Sequence, residues 1–262
     1  PALSLLATFR IIMAAGYTWT AVPLAYLIAG SAIIITAIAF ANLSKLTPKG
    51  GSVWTYAKDA LGPKFGQFAV WIYLLQLVVV PAAAMIPVGI FAQSWLGISP
   101  WITVLIGFLF ILLIALLGID LSFKTMAVLF IGELIILITF AVSSILWSSE
   151  VGAFGTISKI AMTPSGSLFG VAGIIVGAAA AVYSFLGYES SATMAEEVKS
   201  PMKNIPKAIV ITSILGTVLL VFLAWSFVVS IPTKGLFSLI HYFNPIPAMA
   251  GVIWGDLPPF YY

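Results

Sequence analysis

The feature that most constrains this chain is a series of apolar runs, each about as long as a bilayer is thick. A helix rises about 1.5 Å per residue, so about 20 apolar residues cross the roughly 30 Å hydrocarbon core. Runs of that kind cover residues 21–43, 65–96, 101–119, 125–147, 168–188 and 206–231, with partial runs at 3–17 and 245–262. They recur along the whole sequence, so this is not one anchor on a soluble domain. The chain is 62% hydrophobic and 7% charged, whereas a soluble domain carries about 25% charged residues. Backbone polar groups in lipid must be satisfied within the segment, which helices of this length achieve. The expectation is an all-α membrane protein, a multi-span helical bundle with residues 1–262 in a single transmembrane domain. The run 65–96 exceeds one straight span, and Pro81 and Pro87 are expected to kink it.

The same composition removes several function classes. There are no cysteines, so a disulfide framework and a thiolate metal site are excluded. The single histidine, His241, argues against a histidine metal site or a serine–histidine pair. No catalytic residue, metal or cofactor is expected, and the protein is read as a non-enzyme. The net charge of +3 is a topology signal rather than a nucleic-acid one. Lys45, Lys49, Lys58, Lys64, Lys124, Lys199, Lys203 and Lys207 fall on one side if every run crosses once, against Lys159 and Lys234 on the other. By the positive-inside rule, loops 44–64, 120–125 and 196–207 are expected to be cytoplasmic, in a multi-pass protein of the cell membrane.

Three ionisable residues lie in or near the hydrocarbon: Arg10, Glu133 and Glu189. Charged groups are costly there and often mark an ion or substrate route. Arg10 faces an external vestibule or snorkels to the surface; the sequence fits both. Glu133 shares an arc of roughly 140° with Thr125, Gly132, Thr139, Ser143 and Ser144, at about 100° per residue. That arc suits a carboxyl facing a wet cavity, and it equally suits a carboxyl bonded to a neighbouring helix for packing. Glu189 follows "GVAGIIVGAAAAVYSFLGY", a run rich in small residues that let helices approach closely. If "YSFLGY" is unwound, Glu189 opens a second half-helix over about 189–198, where the helix dipole favours an acid. If the span simply ends at Gly187, Glu189 is a headgroup-level acid.

The stretch 183–209, "YSFLGYESSATMAEEVKSPMKNIPKAI", resembles the amino acid–polyamine–organocation permeases. The loop "LSKLTPKGGSVWTYAKDALGPKFGQFAVW" is similar to that family's Pro-x-Gly-Gly-x-x-x-x-Tyr loop and Leu-Gly-x-x-x-Gly entry to the third span, and "GYTWTAVPLAYLIAG" is similar to its first-to-second-span turn. The resemblance implies the leucine-transporter-type fold: inverted five-helix repeats, each opening with a discontinuous span. It puts Pro1 inside the first span and leaves the second repeat incomplete, as in a fragment of a permease of about twelve spans. It further implies substrate at the two breaks, formed by Ala2, Leu3 and Ser4 in the first span and by Tyr183, Ser184, Phe185, Leu186 and Gly187 in the sixth. Tyr183 takes the place of an aromatic that covers the substrate from outside. Tyr188 and Glu189 take places linked to gating or proton coupling. In some members a fifth-span lysine serves proton coupling, and Glu133 is the nearest ionisable residue here.

The function this implies is secondary active transport of amino acids by alternating access, coupled to protons or running as exchange. The partners are then an amino acid as small-molecule substrate, the lipid bilayer and, where transport is proton-coupled, the proton; nucleic acid is not among them. Two intramembrane acids also suit a polyamine or basic amino acid permease. A membrane receptor that binds an amino acid without moving it would use the same breaks.

Overall fold

The computed structural model of the protein describes residues 18–47, 50, 52–150, 154–230 and 253. The partial runs 3–17 and 245–262, with Arg10, lie outside the described residues apart from Ile253. Among the described residues the structure is helix and turn with no strand. The α-helices are α1 (Val22–Leu46), α2 (Ser52–Leu61), α3 (Pro63–Leu96), α4 (Pro100–Leu116), α5 (Ile119–Glu150), α6 (Phe154–Ala161), α7 (Gly170–Ala181) and α8 (Pro201–Val229). Proline stands in the first turn of α1, α3, α4 and α8, where its missing N–H breaks no helical bond. Pro81 and Pro87 do not interrupt α3, which continues for 34 residues, about 51 Å at the helical rise. Among the described residues five segments are long and apolar enough to cross a membrane. α4, at 17 residues, stands at the lower limit of span length.

The core is built on α1. Its buried residues include Ala25, Ala29, Ile33, Ala37 and Ala41, spaced four apart on one stripe. Small residues there let the neighbouring helices come close, which in lipid is the main source of helix association. α8 makes the most extensive contact with α1, followed by α7, and α5 packs on α8. The closeness is greatest at Gly30, where an added Cβ would collide with the Thr217 side chain of α8. One cluster joins Tyr26 and Ala29 of α1 to Ile174 and Ala178 of α7, Leu223 and Phe227 of α8, and Phe140 of α5. A smaller cluster at the lysine-rich end holds Ala37, Ala41, Ala192, Ala195, Ile205 and Ile209. Polar groups in these contacts are bonded across elements: Thr18 Oγ1 donates to the Gly173 carbonyl at 3.1 Å, and Ser148 Oγ donates to the Val229 carbonyl at 2.6 Å.

The α3–α4 hairpin differs. The most apolar stretch of α3 has no buried residue, and neither does α4. α3 packs on α2 and α4, and α4 touches α5 only lightly.

Candidate functional site

α7 is 12 residues long, about 18 Å, too short to cross a bilayer alone. After Ala181 the chain tightens into a 3₁₀ turn, Val182–Phe185, and then turns at Gly187, whose φ of +100° is a left-handed value that a side chain would disfavour. A second 3₁₀ run, Tyr188–Met194, follows. The sixth span is therefore interrupted at the motif "YSFLGY". Where a half-helix over 189–198 is expected, the chain instead forms this 3₁₀ run and then turns up to Ser200. The physical reason is local. The Gly187 amide donates to Glu189 Oε2 at 3.1 Å, and the Ser190 amide donates to the Gly187 carbonyl at 3.1 Å. These short-range bonds hold the tight turn in place of an α-helical ladder.

α1 holds the break at two points. Tyr26 Oη and Ser184 Oγ are hydrogen-bonded at 3.2 Å, and the Tyr188 hydroxyl donates to Thr36 Oγ1 at 3.1 Å. Phe185 is buried in the core, edge-on to Tyr26. Phe40 stands edge-on to both Tyr188 and Tyr56 of α2. Burial pushes the Tyr56 phenol above its ordinary value, so it stays neutral at physiological pH.

Between the break, α1, α2 and α3 lies an open cleft of about 580 Å³, within the size range of small-molecule sites. Its walls are apolar, and its polar side chains are Thr36, Tyr73, Gln76, Tyr188 and Glu189. Glu189 is 8% exposed. Tyr73 of α3 lines the same cleft as Glu189. Among the described residues no lysine or arginine lines the cleft.

The expected site residues separate into groups. Leu186, Tyr188 and Glu189 line the cleft. Gly187 supplies the turn between them. Ser184 and Phe185 turn instead toward Tyr26 on α1, and Tyr183 is half-buried beside them. Glu133 is half-buried on α5 and does not line the cleft. Of the arc it shares, Ser144 is buried and Thr139 exposed, so the arc is not one uniform wet face. Ala2, Leu3 and Ser4 lie outside the described residues. Sequence reasoning missed Thr36, Tyr73 and Gln76. The signal was available: Tyr73 and Gln76 are spaced i, i+3 as polar residues inside the apolar run "WIYLLQLVVV".

The family model for amino acid permeases matches residues 3–253. The chain is 30% identical over 223 residues to the low-affinity putrescine importer PlaP of Escherichia coli K12, covering 84% of this chain and 48% of that protein. It is 30% identical over 197 residues to the aromatic amino acid transport protein AroP of Corynebacterium glutamicum, covering 72% and 42%. It is 26% identical over 243 residues to the D-serine/D-alanine/glycine transporter of E. coli K12, covering 87% and 51%. The chain thus spans about half the length of these relatives. No solved structure matches the chain. With matching motifs in collinear order, an interrupted sixth span and a family model that covers almost every residue, this multi-pass membrane protein belongs to the amino acid permease family.

Proposed function

We propose that the protein of which this chain is part is a secondary active transporter that moves amino acids across the cell membrane by alternating access, and that the cleft beside the sixth-span break lies on the substrate route. The observation that carries this reading is the buried Glu189 at an interrupted helix, facing a cleft of small-molecule size. In this reading the break, from Tyr183 to Gly187, meets the substrate's charged backbone groups, with Ala2, Leu3 and Ser4 opposite. Tyr188 and Glu189 couple substrate occupancy to closure. The lysine-rich loops 44–64, 120–125 and 196–207 face the cytoplasm. Direction comes from a proton gradient or from exchange, with Glu189 or Glu133 taking the proton.

A second reading, a cationic substrate such as a polyamine or a basic amino acid, is supported by the Glu189 carboxylate on a cleft wall without basic side chains. The name of one relative, a putrescine importer, agrees with it.

Radiolabelled uptake by the full-length protein in proteoliposomes tests both. Neutral amino acids, basic amino acids and polyamines are compared with and without an inward proton gradient. Gradient-driven accumulation of one class supports proton coupling and assigns the substrate. Uptake only against preloaded amino acid makes the protein an exchanger. Binding without uptake overturns transport in favour of a receptor. Glu189→Gln removes the carboxyl and is expected to change the pH dependence of uptake; an unchanged profile removes Glu189 from coupling.

A further inference from the structure

A second concavity lies on the other side of α1. Ile38 and Asn42 are each two residues from the cleft-lining Thr36 and Phe40, hence about 200° round the helix. With Ala41 and Lys45 they form one wall of a groove of about 500 Å³, and the first turns of α8 form the other. Lys203 and Lys207 are spaced i, i+4, so both stand on the groove face of α8. All three lysines are exposed, and among the described residues none is in an ion pair. Lys45 Nζ donates to the Asn42 side-chain oxygen at 3.5 Å. Among the described residues no acid lines the groove. Past the lysines along both helices the lining turns apolar, with exposed Ile38 and Ile211 and half-buried Val210.

The order along the helices matters. Lys45 and Ile38 are seven residues apart, about 10 Å of helix, and Lys203 and Ile211 about 12 Å. Cations at the rim and bare hydrocarbon below match the layering of a phospholipid, and not that of a free anion. We propose that this groove binds an anionic phospholipid. Its phosphate-bearing headgroup sits among Lys45, Lys203 and Lys207, and its acyl chains lie along Ile38, Val210 and Ile211. Basic pockets between spans at the cytoplasmic level are a recurrent way to hold such headgroups. The N-terminus of α8 at the same rim adds a favourable dipole for negative charge. A lipid there bridges the end of α1 and the start of α8, the two most intimately packed helices.

The test is native mass spectrometry of the full-length protein, titrated with phosphatidylglycerol or phosphatidylcholine. The unmodified protein should retain phosphatidylglycerol preferentially. The triple variant Lys45→Gln, Lys203→Gln, Lys207→Gln should lower that retention roughly tenfold or more. Lys64→Gln with Lys124→Gln, removing lysines outside the groove, should leave it unchanged. Equal retention of the two lipids by the unmodified protein overturns the proposal, as does undiminished retention in the glutamine triple variant. Displacement of the lipid by inorganic phosphate also overturns it, making this a free-anion site. Should the glutamine variant fail to fold, the corresponding arginine triple variant decides: it keeps the charge and should keep the preference, and losing it counts against the site.

Discussion

The α1–α7–α8 body and the α3–α4 hairpin are both built from apolar sequence, yet they solve different problems. In the most apolar stretch of α1, 39% of the residues are buried, against none in that of α3. Mean hydropathy of the two stretches is the same, 2.2. What separates them is residue size. α1 places Ala25, Ala29, Gly30, Ala37 and Ala41 against its neighbours. α3 and α4 present Phe65, Phe68, Trp71, Phe108 and Leu113 outward. Lipid tails are as apolar as leucine, so hydrophobicity cannot decide which face meets protein; the ability of backbones to approach can. The lesson is that a stripe of small residues marks where helices meet, whereas bulk does not by itself mark an exposed face, since Phe140 and Phe227 fill the same core.

The most severe way to break this contrast is Gly30→Leu. The side chain would occupy the position of Thr217, and loss of folded protein is expected in fluorescence-detected size-exclusion chromatography. Gly216→Leu, one residue from Thr217 but with open space around its Cα, should fold normally. If both variants fold alike, close approach is not what holds α1 to α8. Next in size is Phe227→Ala, which empties a fully buried site against Phe140. A loss of roughly 3 kcal/mol is expected, read as a lower thermal midpoint. Phe108→Ala, at a residue of α4 that is 58% exposed, should leave the midpoint nearly unchanged. Equal shifts would mean that the hairpin face is covered by protein. The smallest effect belongs to Ser148→Ala, which removes the bond to the Val229 carbonyl. Interhelical hydrogen bonds in membranes average about 0.6 kcal/mol, so its shift should sit near the limit of measurement; a large one would reveal a buried polar network at the α5–α8 contact.

Much of the helical layout was legible because bilayer thickness imposes a length that apolar runs must meet. The interruption at Gly187 was legible from the motif around it, not from hydropathy, since a hydropathy run alone fits a span that ends at Gly187 as well as one that breaks there. Two things were hidden. The 3₁₀ path of Tyr188–Met194 depends on Glu189 bonding back to the Gly187 amide, a two-residue contact that no periodicity encodes. The far wall of the cleft depends on Tyr73 and Gln76, which carry no charge and so escape a search for costly ionisable groups. Conversely, Glu133 stood out for its charge and yet does not face that cleft, because charge alone does not report the face of a helix that a fold will use.

The two bonds from α1 to the break have a mechanical reading. Tyr26 and Thr36 are ten residues apart on a continuous helix, about 15 Å. They grip Ser184 and Tyr188, on either side of the left-handed Gly187. α1 is thus a splint laid across a fracture. Both ties resist hinging of the segment about Gly187, and the tie at Thr36, exposed where the other is partly buried, is the one that water reaches first.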